Sequence, residues 1–597
     1  MRQSPRKFRK PNMAKLRHLP WLLVPAAVLL RLAVVGGSFT VDDYAQLTMM
    51  RGQYPVPRGA LELFTFSDGS PQEVEALTEA GFFPWWRHPE LKLAMFRPLS
   101  SALMQLDLAL FGDRALYYHL HSMLWWIGAL IAAGLLLRRL LPGGAWILAF
   151  AFFCADEAHA TALGWIANRN ELVSSALALT AFYLHLRHRE DGLAAGRWLV
   201  PLLFALSLLA GEYALCYLGY FVAFELWAER PWSERLRGLW PVGLMSGAYL
   251  ATRQLLGYGS RGSSMYLDPS ARPLDFALGS LERFPVQVGD LLLGLQADGY
   301  SYGSPWAHAL GLDLQGWQRL QLSAGVAATA MWVALLGLAL RGDNASRAAQ
   351  SLGLGAVLSM IPSLAATPSS RTLVPPLLGV TALLALCALW LWRRRGVSRL
   401  AVLAIVVLHL GLAIWSTRIL TAGAALVSRQ VQRSILRAPL DPATVAQQDV
   451  FLLGVADLTT TIYLPLVRRF HGLAAPRSCH LMTASWGAHE LRRVAADSLE
   501  LRRLNAVATP GDLYARVFND GEPLPGLHGR AGPMWAEVVQ VDAGVPTAMR
   551  FRFARPLDDP SFLFLLQTAA GLQRFSMPAV GRALILPPPL PPLAIPL

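Results

Sequence analysis

Two adjacent carboxylates follow the first apolar segment of the chain and could accept a proton in a reaction. Asp42 and Asp43 stand in the sequence VDDYAQL, shortly after an apolar run over residues 19–35. A side-chain carboxylate can remove a proton from a reacting hydroxyl group that lies within hydrogen-bonding reach. Because neighbouring carboxylates repel each other, we expect one of the two to have a raised pKa, which suits a base. The pair is therefore the first candidate for catalysis.

Further polar side chains lie beside later apolar segments and could bind a substrate. Ionisable groups near the interior of a membrane are costly to bury and usually serve a function. Taken singly, each has a plain structural explanation, such as a helix end, a core histidine or a tight turn. Together they predict a polar cleft with carboxylates and at least one arginine. The candidate substrate-binding residues are Asp156, Glu157, His159, Trp165, Arg169, Glu212 and Arg371.

The composition indicates that the elements positioning these residues are membrane helices. Of the 597 residues, 54% are hydrophobic and 15% are charged, and the mean hydropathy is +0.38. A soluble protein usually carries about 25% charged residues. The apolar residues occur in blocks long enough to cross the hydrocarbon core of a bilayer. The sequence therefore predicts a polytopic α-helical membrane protein.

About eleven transmembrane helices are predicted, and the charges between them give a topology. Short connections rich in Lys and Arg favour the cytoplasmic side. The N-terminal segment 1–18 is basic and is expected in the cytoplasm, followed by the membrane domain 19–420 with two long periplasmic loops, 36–97 and 257–318. This topology puts every candidate residue on the periplasmic side. The predicted spans are 19–35, 117–137, 144–163, 170–187, 197–212, 213–228, 239–256, 319–340, 349–367, 373–392 and 400–420.

The last part of the chain has a different composition. Residues 421–597 have ordinary charge density and lack an apolar block of membrane-spanning length. Short β-like runs with Gly and Pro between them predict a soluble, largely β or α/β domain in the periplasm. The segment ends in the proline-rich sequence PPPLPPLAIPL, which cannot form regular secondary structure. The predicted strands include 450–455, 499–501, 535–541 and 549–553.

The charge and the cysteines exclude other classes of protein. The net charge is +14, but the basic residues occur in short clusters between apolar blocks rather than in one patch. Membrane topology explains this distribution, and we expect no nucleic-acid partner. The four cysteines are scattered without the spacing of a metal site or a disulfide framework.

One reaction needs the residue types found in the predicted cleft. Transfer of a sugar from a lipid phosphate requires a carboxylate to deprotonate the acceptor hydroxyl group. It also requires a cation near the lipid phosphate, where negative charge develops as the bond to the sugar breaks. An aspartate and an arginine at the same depth of a membrane protein match these two roles.

Three motifs in this order resemble the GT-C superfamily of membrane glycosyltransferases. They are VDDYAQL, then FRPLSSALMQLDLALFGDRALYYHLHSMLWW, then HATALGWIANRNELVSSALALTAFYLHL. The closest similarity is to protein O-mannosyltransferases and their bacterial relatives, and SSRTLVPPLLG resembles a late turn of that group. The resemblance covers residues 40–420.

This resemblance implies roles for several residues. Asp42 or Asp43 matches the catalytic base of the superfamily, and which of the two acts stays open. His159 and Arg169 match polar positions around the third span, and Arg371 matches a phosphate ligand. The implied partners are a polyprenyl-phosphate sugar donor, a protein or glycan acceptor and the lipids of a bacterial inner membrane. The implied reaction is a hexosyl transfer that inverts the anomeric centre.

The sequence also departs from the pattern of that group. Asp156 and Glu157 replace a frequent His-Pro pair, and Thr372 replaces an aromatic residue after the late arginine. The donor sugar, the acceptor and the need for a divalent metal therefore stay open, and no cofactor is assigned. An amphipathic stretch in the loop 257–318 could cover the lipid-binding groove or simply connect two spans.

Two other classes of function use the same charges. A transporter or flippase for a lipid-linked or polar solute would use them as binding groups in an alternating-access cavity. Such proteins often contain two related halves, which this sequence does not show clearly. An assembly or sensor protein with a degenerate cleft is the third alternative.

Overall fold

The computed structural model describes residues 15–340, 347–394 and 396–589. Most of the predicted cytoplasmic N-terminus, 1–18, lies outside these ranges. So do most of the basic connection 341–347 and the end of the proline-rich tail.

Helices form the framework of the chain as far as residue 436. Every predicted span overlaps one of these helices. The last predicted span, 400–420, is part of a continuous 39-residue helix, Ser398–Leu436, which contains a π-helical segment at Val407–Leu412. The α-helices are α1 (Leu23–Arg31), α2 (Asp42–Met50), α3 (Pro71–Glu79), α4 (Pro98–Phe111), α5 (Ala115–Leu140), α6 (Ala145–Ala155), α7 (Ala158–Gly164), α8 (Arg169–Asp191), α9 (Gly196–Ala210), α10 (Ala214–Trp227), α11 (Trp232–Leu255), α12 (Pro273–Leu293), α13 (Asp298–Tyr302), α14 (Pro305–Ala309), α15 (Leu314–Leu340), α16 (Arg347–Ser363), α17 (Val374–Arg393), α18 (Ser398–Val406) and α19 (Ala413–Leu436).

Several of these helices are long and apolar enough to cross a membrane. By length and composition they are His18–Gly36, α5, Ser370–Arg393 and Ser398–Leu436. The pair α6 and α7 also qualifies as one span that is bent by 45° at Asp156 and Glu157. At 1.5 Å per residue, α5 alone is longer than the roughly 30 Å hydrocarbon core. The chain is a multi-pass membrane protein.

The two long connections predicted outside the membrane are joined by a small antiparallel sheet. It consists of β1 (Thr65–Asp68), β2 (Lys92–Ala94) and β3 (Gly259–Arg261), in the order β1-β2-β3. Since β3 lies in the loop 257–318 and β1 and β2 lie in the loop 36–97, the sheet fixes one loop against the other.

As far as residue 589, the C-terminal part contains two sheets and two α-helices, α20 (Leu458–Phe470) and α21 (Pro510–Phe518). The six-stranded antiparallel sheet has the order β13-β6-β7-β10-β9-β8, and the four-stranded sheet has the order β12-β11-β4-β5. The helix α20 connects β4 to β5, which are parallel. This confirms the predicted β or α/β domain. The strands are β4 (Asp449–Leu452), β5 (Ser478–Leu481), β6 (His489–Ala495), β7 (Ser498–Arg503), β8 (His528–Ala531), β9 (Met534–Asp542), β10 (Val545–Phe553), β11 (Phe562–Thr568), β12 (Gly571–Arg574) and β13 (Ala583–Leu586).

The buried apolar residues form two large clusters. One lies among the membrane helices, around Trp126, Phe153 and Tyr220. The other is shared between the C-terminal domain and the loop 36–97, so that Phe83 belongs to the same core as Phe451. The first loop and the C-terminal domain are therefore packed as one body.

Candidate active site

A cavity of about 490 Å³ lies between the first loop, the loop 257–318 and the ends of several membrane helices. It brings together four of the predicted residues from distant parts of the sequence: Asp42, Trp165, Glu212 and Arg371. The remaining predicted residues are not part of its lining. Other lining residues include Phe64, Arg97, Asn168, Tyr213, Leu215, Leu250, Arg253, Tyr266, Asp268 and Pro362.

Asp42 begins α2 and reaches the cavity at the end of a strained turn. The preceding residue, Val41, has φ of 45°, a conformation that costs energy for a β-branched residue. One carboxylate oxygen of Asp42, Oδ1, accepts a hydrogen bond from the hydroxyl group of Tyr463. Burial raises the pKa of Asp42, while this hydrogen bond and the charges of Arg371 and Arg97 partly oppose the shift. A carboxylate with a raised pKa that faces a cavity is suited to accept a proton.

Asp43 is fully buried, and its carboxylate accepts hydrogen bonds from the backbone of two separate segments. Its carboxylate accepts a hydrogen bond from the backbone N–H of Thr40 at 2.9 Å and another from Ala167 at 2.6 Å. The second bond ties the start of α2 to the segment between α7 and α8. Burial raises the pKa of Asp43 to about 7 despite these two bonds. Asp43 therefore positions other groups around the cavity without lining it.

Arg371 enters the cavity from a 3-10 turn, Ser370–Leu373, that lies between α16 and α17. Its Nη1 donates to Oδ1 of Asn168 at 3.0 Å, and its guanidinium lies 5.1 Å from the ring of Trp165. Within the described residues, no carboxylate forms an ion pair with Arg371. The positive charge is thus held in place by neutral partners and can bind an anion.

Two aspartates of the loop 257–318 fix the turn that carries Arg371. Asp298 accepts from the hydroxyl of Ser369 at 2.6 Å and from the backbone N–H of Ser370 at 3.0 Å. Asp290 accepts from the hydroxyl of Ser370 at 2.6 Å. This loop therefore both lines the cavity and orients its arginine.

The cavity contains two further arginines, Arg97 and Arg253, that were not among the residues predicted from the sequence. Nε of Arg97 donates to the predicted residue Glu212 at 2.7 Å, and Arg253 donates to Asp268 at 2.9 Å. Arg97 stands in FRPLSS, just before the proline that begins α4, inside a motif used for the superfamily resemblance. Its position next to Pro98, at the start of a helix within this motif, was the sequence feature that could have marked Arg97 as a candidate. The sequence contains no pattern that pairs Arg97 with Glu212.

His159 and Arg169 are buried outside the cavity and have structural partners. Nε2 of His159 lies 3.0 Å from the carbonyl oxygen of Phe153, and its ring packs against Trp126. Arg169 forms an ion pair with Asp107 and donates to the hydroxyl of Ser122 at 2.8 Å. Both residues stabilise the packing of α5, α7 and α8.

Asp156 and Glu157 lie at the bend between α6 and α7, also outside the cavity lining. The carboxylate of Asp156 accepts from the backbone N–H of Ala158 at 2.9 Å and so begins α7. The carbonyl oxygens of Cys154 and Asp156 accept hydrogen bonds from Arg31 at 2.8 and 2.5 Å. Arg31 is fully buried and satisfies the backbone where the helix is broken.

No metal or cofactor is assigned to the site. Within residues 15–340, 347–394 and 396–589, no group of three or more His, Cys, Asp or Glu side chains is arranged to hold a metal ion. The arrangement does offer a proton acceptor, an unpaired cation and apolar walls in one cavity, which suits the transfer of a group from an amphipathic anionic donor.

Comparison with known proteins gives similarities to solved structures. No family model matches the sequence, and no curated protein matches it. The structure of ArnT from Cupriavidus metallidurans bound to undecaprenyl phosphate is 14% identical, with 75% of this chain and 84% of that chain covered and a TM-score of 0.37. An Archaeoglobus fulgidus oligosaccharyltransferase tethered with an acceptor peptide containing the NVT sequon is 12% identical, with 78% of this chain covered and a TM-score of 0.38. This chain spans 64% of the archaeal protein, just under two thirds. Both TM-scores are below 0.5, so these similarities do not assign the chain to a family.

Proposed function

We propose that the chain is a GT-C-type glycosyltransferase that transfers a sugar from a polyprenyl-phosphate donor to a protein or glycan acceptor. The observation that carries this proposal is the presence of Asp42 and Arg371 in one cavity. These residues come from opposite ends of the membrane domain, and they supply the base and the cation that such a transfer requires.

The proposed reaction is a single displacement at the anomeric carbon. The acceptor hydroxyl oxygen forms a bond to that carbon while the bond from carbon to the phosphate oxygen breaks. Asp42 takes the hydroxyl proton, and the bonding electrons leave with the polyprenyl phosphate. Attack from the face opposite the phosphate inverts the anomeric centre.

Arg371 is the proposed ligand of the leaving phosphate. Its guanidinium is already held by Asn168 and Trp165, so little side-chain entropy is lost when it binds an anion. Arg97 contributes a second positive charge to the same cavity, although Glu212 neutralises part of it.

The apolar lining supports a lipid donor. Leu215, Leu250 and Pro362 belong to helices of the membrane domain and line the cavity beside the polar residues. A phosphate near Arg371 could therefore lie at the polar end while an isoprenoid chain packs against these walls. We place the cavity on the periplasmic side of a bacterial inner membrane, following the charges of the connections.

Binding of undecaprenyl phosphate tests the donor half of the proposal. We expect the Arg371→Ala variant to bind this lipid about 10- to 100-fold more weakly than the wild type, since it loses a charge-assisted hydrogen bond. Titration in detergent with detection by native mass spectrometry measures this difference.

A matched control is Arg261→Gln. Arg261 lies on β3, forms an exposed pair with Glu90 at 2.6 Å and is outside the cavity lining. Unchanged binding by Arg261→Gln together with the loss in Arg371→Ala supports the proposal. Equal affinity of Arg371→Ala and the wild type for undecaprenyl phosphate would show that Arg371 does not bind the phosphate.

A further inference from the structure

The hydroxyl group that contacts Asp42 comes from the C-terminal domain. Tyr463 lies on α20, is only 4% exposed and donates its hydrogen bond to Oδ1 of Asp42. Its ring packs edge to face against Phe82 of the first loop, with 5.6 Å between the ring centroids. Packing against Phe82 therefore holds the ring of Tyr463, and its hydroxyl group points to the Asp42 carboxylate.

The helix that carries Tyr463 is anchored to the sheet of the same domain. Asp457 caps α20 by accepting from the backbone N–H of Thr460 at 2.7 Å. Gln567 on β11 donates to the other oxygen of Asp457 at 2.8 Å and accepts from the N–H of Ala456 at 2.7 Å. These hydrogen bonds connect β11 to the start of α20. They therefore fix the position of the helix that carries Tyr463.

Other groups near Asp42 do not provide the same contact. Arg371 and Arg97 attract its negative charge across the cavity, whereas Asp43 and Tyr54 are the further titratable groups beside it. Among the described residues, only Tyr463 forms a side-chain hydrogen bond with the Asp42 carboxylate. In the part of the chain that the structure describes, the second oxygen, Oδ2, accepts no side-chain hydrogen bond.

We propose that Tyr463 is a positioning residue that holds Asp42 by one oxygen and presents the other to the acceptor hydroxyl. The C-terminal domain thereby completes the active site of the membrane domain. The identity of the reaction rests on the proposed function, whereas the contact itself can be tested without turnover.

Carbodiimide labelling of Asp42 tests the contact directly. A carbodiimide reacts with the protonated carboxyl group, so the extent of labelling at each pH reports the protonation of Asp42, and peptide mass spectrometry locates the label. Removal of a hydrogen bond to the ionised form should favour the protonated form. We expect the midpoint of labelling in Tyr463→Phe to lie about one pH unit above that of the wild type.

Tyr54→Phe is the matched control. Tyr54 packs against the same Phe82 ring, at 5.2 Å, and donates to the carbonyl oxygen of Phe66 at 2.8 Å instead of to Asp42. We expect its labelling midpoint to equal that of the wild type. Coinciding midpoints for Tyr463→Phe and the wild type would overturn the inference.

Transfer kinetics separate this inference from the proposed function. We expect Tyr463→Phe to lower kcat about tenfold, to leave KM for the lipid donor unchanged and to move the acidic limb of the pH profile upward with the labelling midpoint. An active wild type with a superimposable Tyr463→Phe profile would overturn the inference and leave the proposed function intact. An inactive wild type with a shifted midpoint would overturn the proposed function and leave the contact established.

Discussion

The side chains of Asp42 and Asp43 belong to the same helical turn but meet different surroundings. Asp42 lines the cavity, and Asp43 is enclosed by backbone that it holds through two N–H groups. Ala167, one of those donors, precedes the asparagine that contacts Arg371. The two carboxylates can thus serve one site in different ways, one in the reaction and one in the placement of its partners.

Replacement of Asp43 by alanine should lower stability, most strongly at acidic pH. The variant removes the acceptor of the N–H groups of Thr40 and Ala167, and the buried N–H of Ala167 alone costs about 1–3 kcal/mol when left unpaired. Burial raises the pKa of Asp43 in the folded protein from 3.8 to about 7. The folded state therefore binds the proton more tightly, so the contribution of Asp43 is complete below its unfolded pKa and declines as the pH rises towards 7.

Thermal unfolding in detergent measures this effect. We expect the difference in Tm between the wild type and Asp43→Ala to be larger at pH 5 than at pH 8. A difference that is constant or grows with pH would contradict the assigned surroundings of Asp43.

At this scale, the sequence could predict the residue types of the site but not their partners. Charge distribution and the motifs predicted Asp42, Trp165, Glu212 and Arg371, which share the cavity. Which of the two aspartates faces the cavity depends on the turn at Val41. The contact between Asp42 and Tyr463 depends on packing between residues that are 421 positions apart in the sequence. Neither leaves a local pattern.

Among the elements, close contact between α16 and α17 determines where the turn with Arg371 lies. A Cβ atom added at Gly379 of α17 would lie 2.1 Å from the carbonyl oxygen of Leu352 and 2.8 Å from Cβ of Ala356, both on α16. Small residues of this kind allow membrane helices to approach closely.

We expect Gly379→Ala to separate these helices and to displace the turn between them. The variant should have a lower Tm and bind undecaprenyl phosphate more weakly, as measured by thermal unfolding and by titration. Gly243→Ala on α11 is the control, because a Cβ atom there meets nothing within 4 Å and alanine favours the helix. Equal lipid binding by both variants would show that the α16–α17 contact does not position the site.

The sequence predicts the membrane helices better than the elements of the C-terminal domain. Every span predicted from a long apolar run overlaps a helix of the structure. The β domain was predicted from only some of its strands. β11, FLFLLQT, is almost wholly buried and has no alternation that distinguishes a strand from a helix. The helix α20, LTTTIYLPLVRRF, contains three threonines and an internal proline, and its capping residue Asp457 was the one local signal for a helix.

For the molecule as a whole, the predicted topology puts the cavity and the C-terminal domain on the same side of the membrane. The shared core of the first loop and this domain requires that they lie together. From the basic connections at the other ends of the helices, we propose that this common side is periplasmic.

Single cysteines at exposed positions test this arrangement. We expect Leu61→Cys and Val580→Cys, which are 53% and 56% exposed in the wild type, to react with a membrane-impermeant maleimide in cells with a permeable outer membrane. Val397→Cys, at a position that is 82% exposed between α17 and α18, should react only after lysis. The opposite labelling pattern would reverse the proposed orientation.

The most direct test of the central claim is turnover of a radiolabelled polyprenyl-phosphate hexose by the purified full-length protein in the presence of membrane-derived acceptors. We expect the wild type to release polyprenyl phosphate and to transfer the label to an acceptor. Asp42→Asn should be about 10²- to 10⁴-fold slower with donor binding retained, because it lacks a base. Binding of the donor without turnover by the wild type would indicate a carrier instead, and full activity of Asp42→Asn would contradict the assignment of Asp42 as the base.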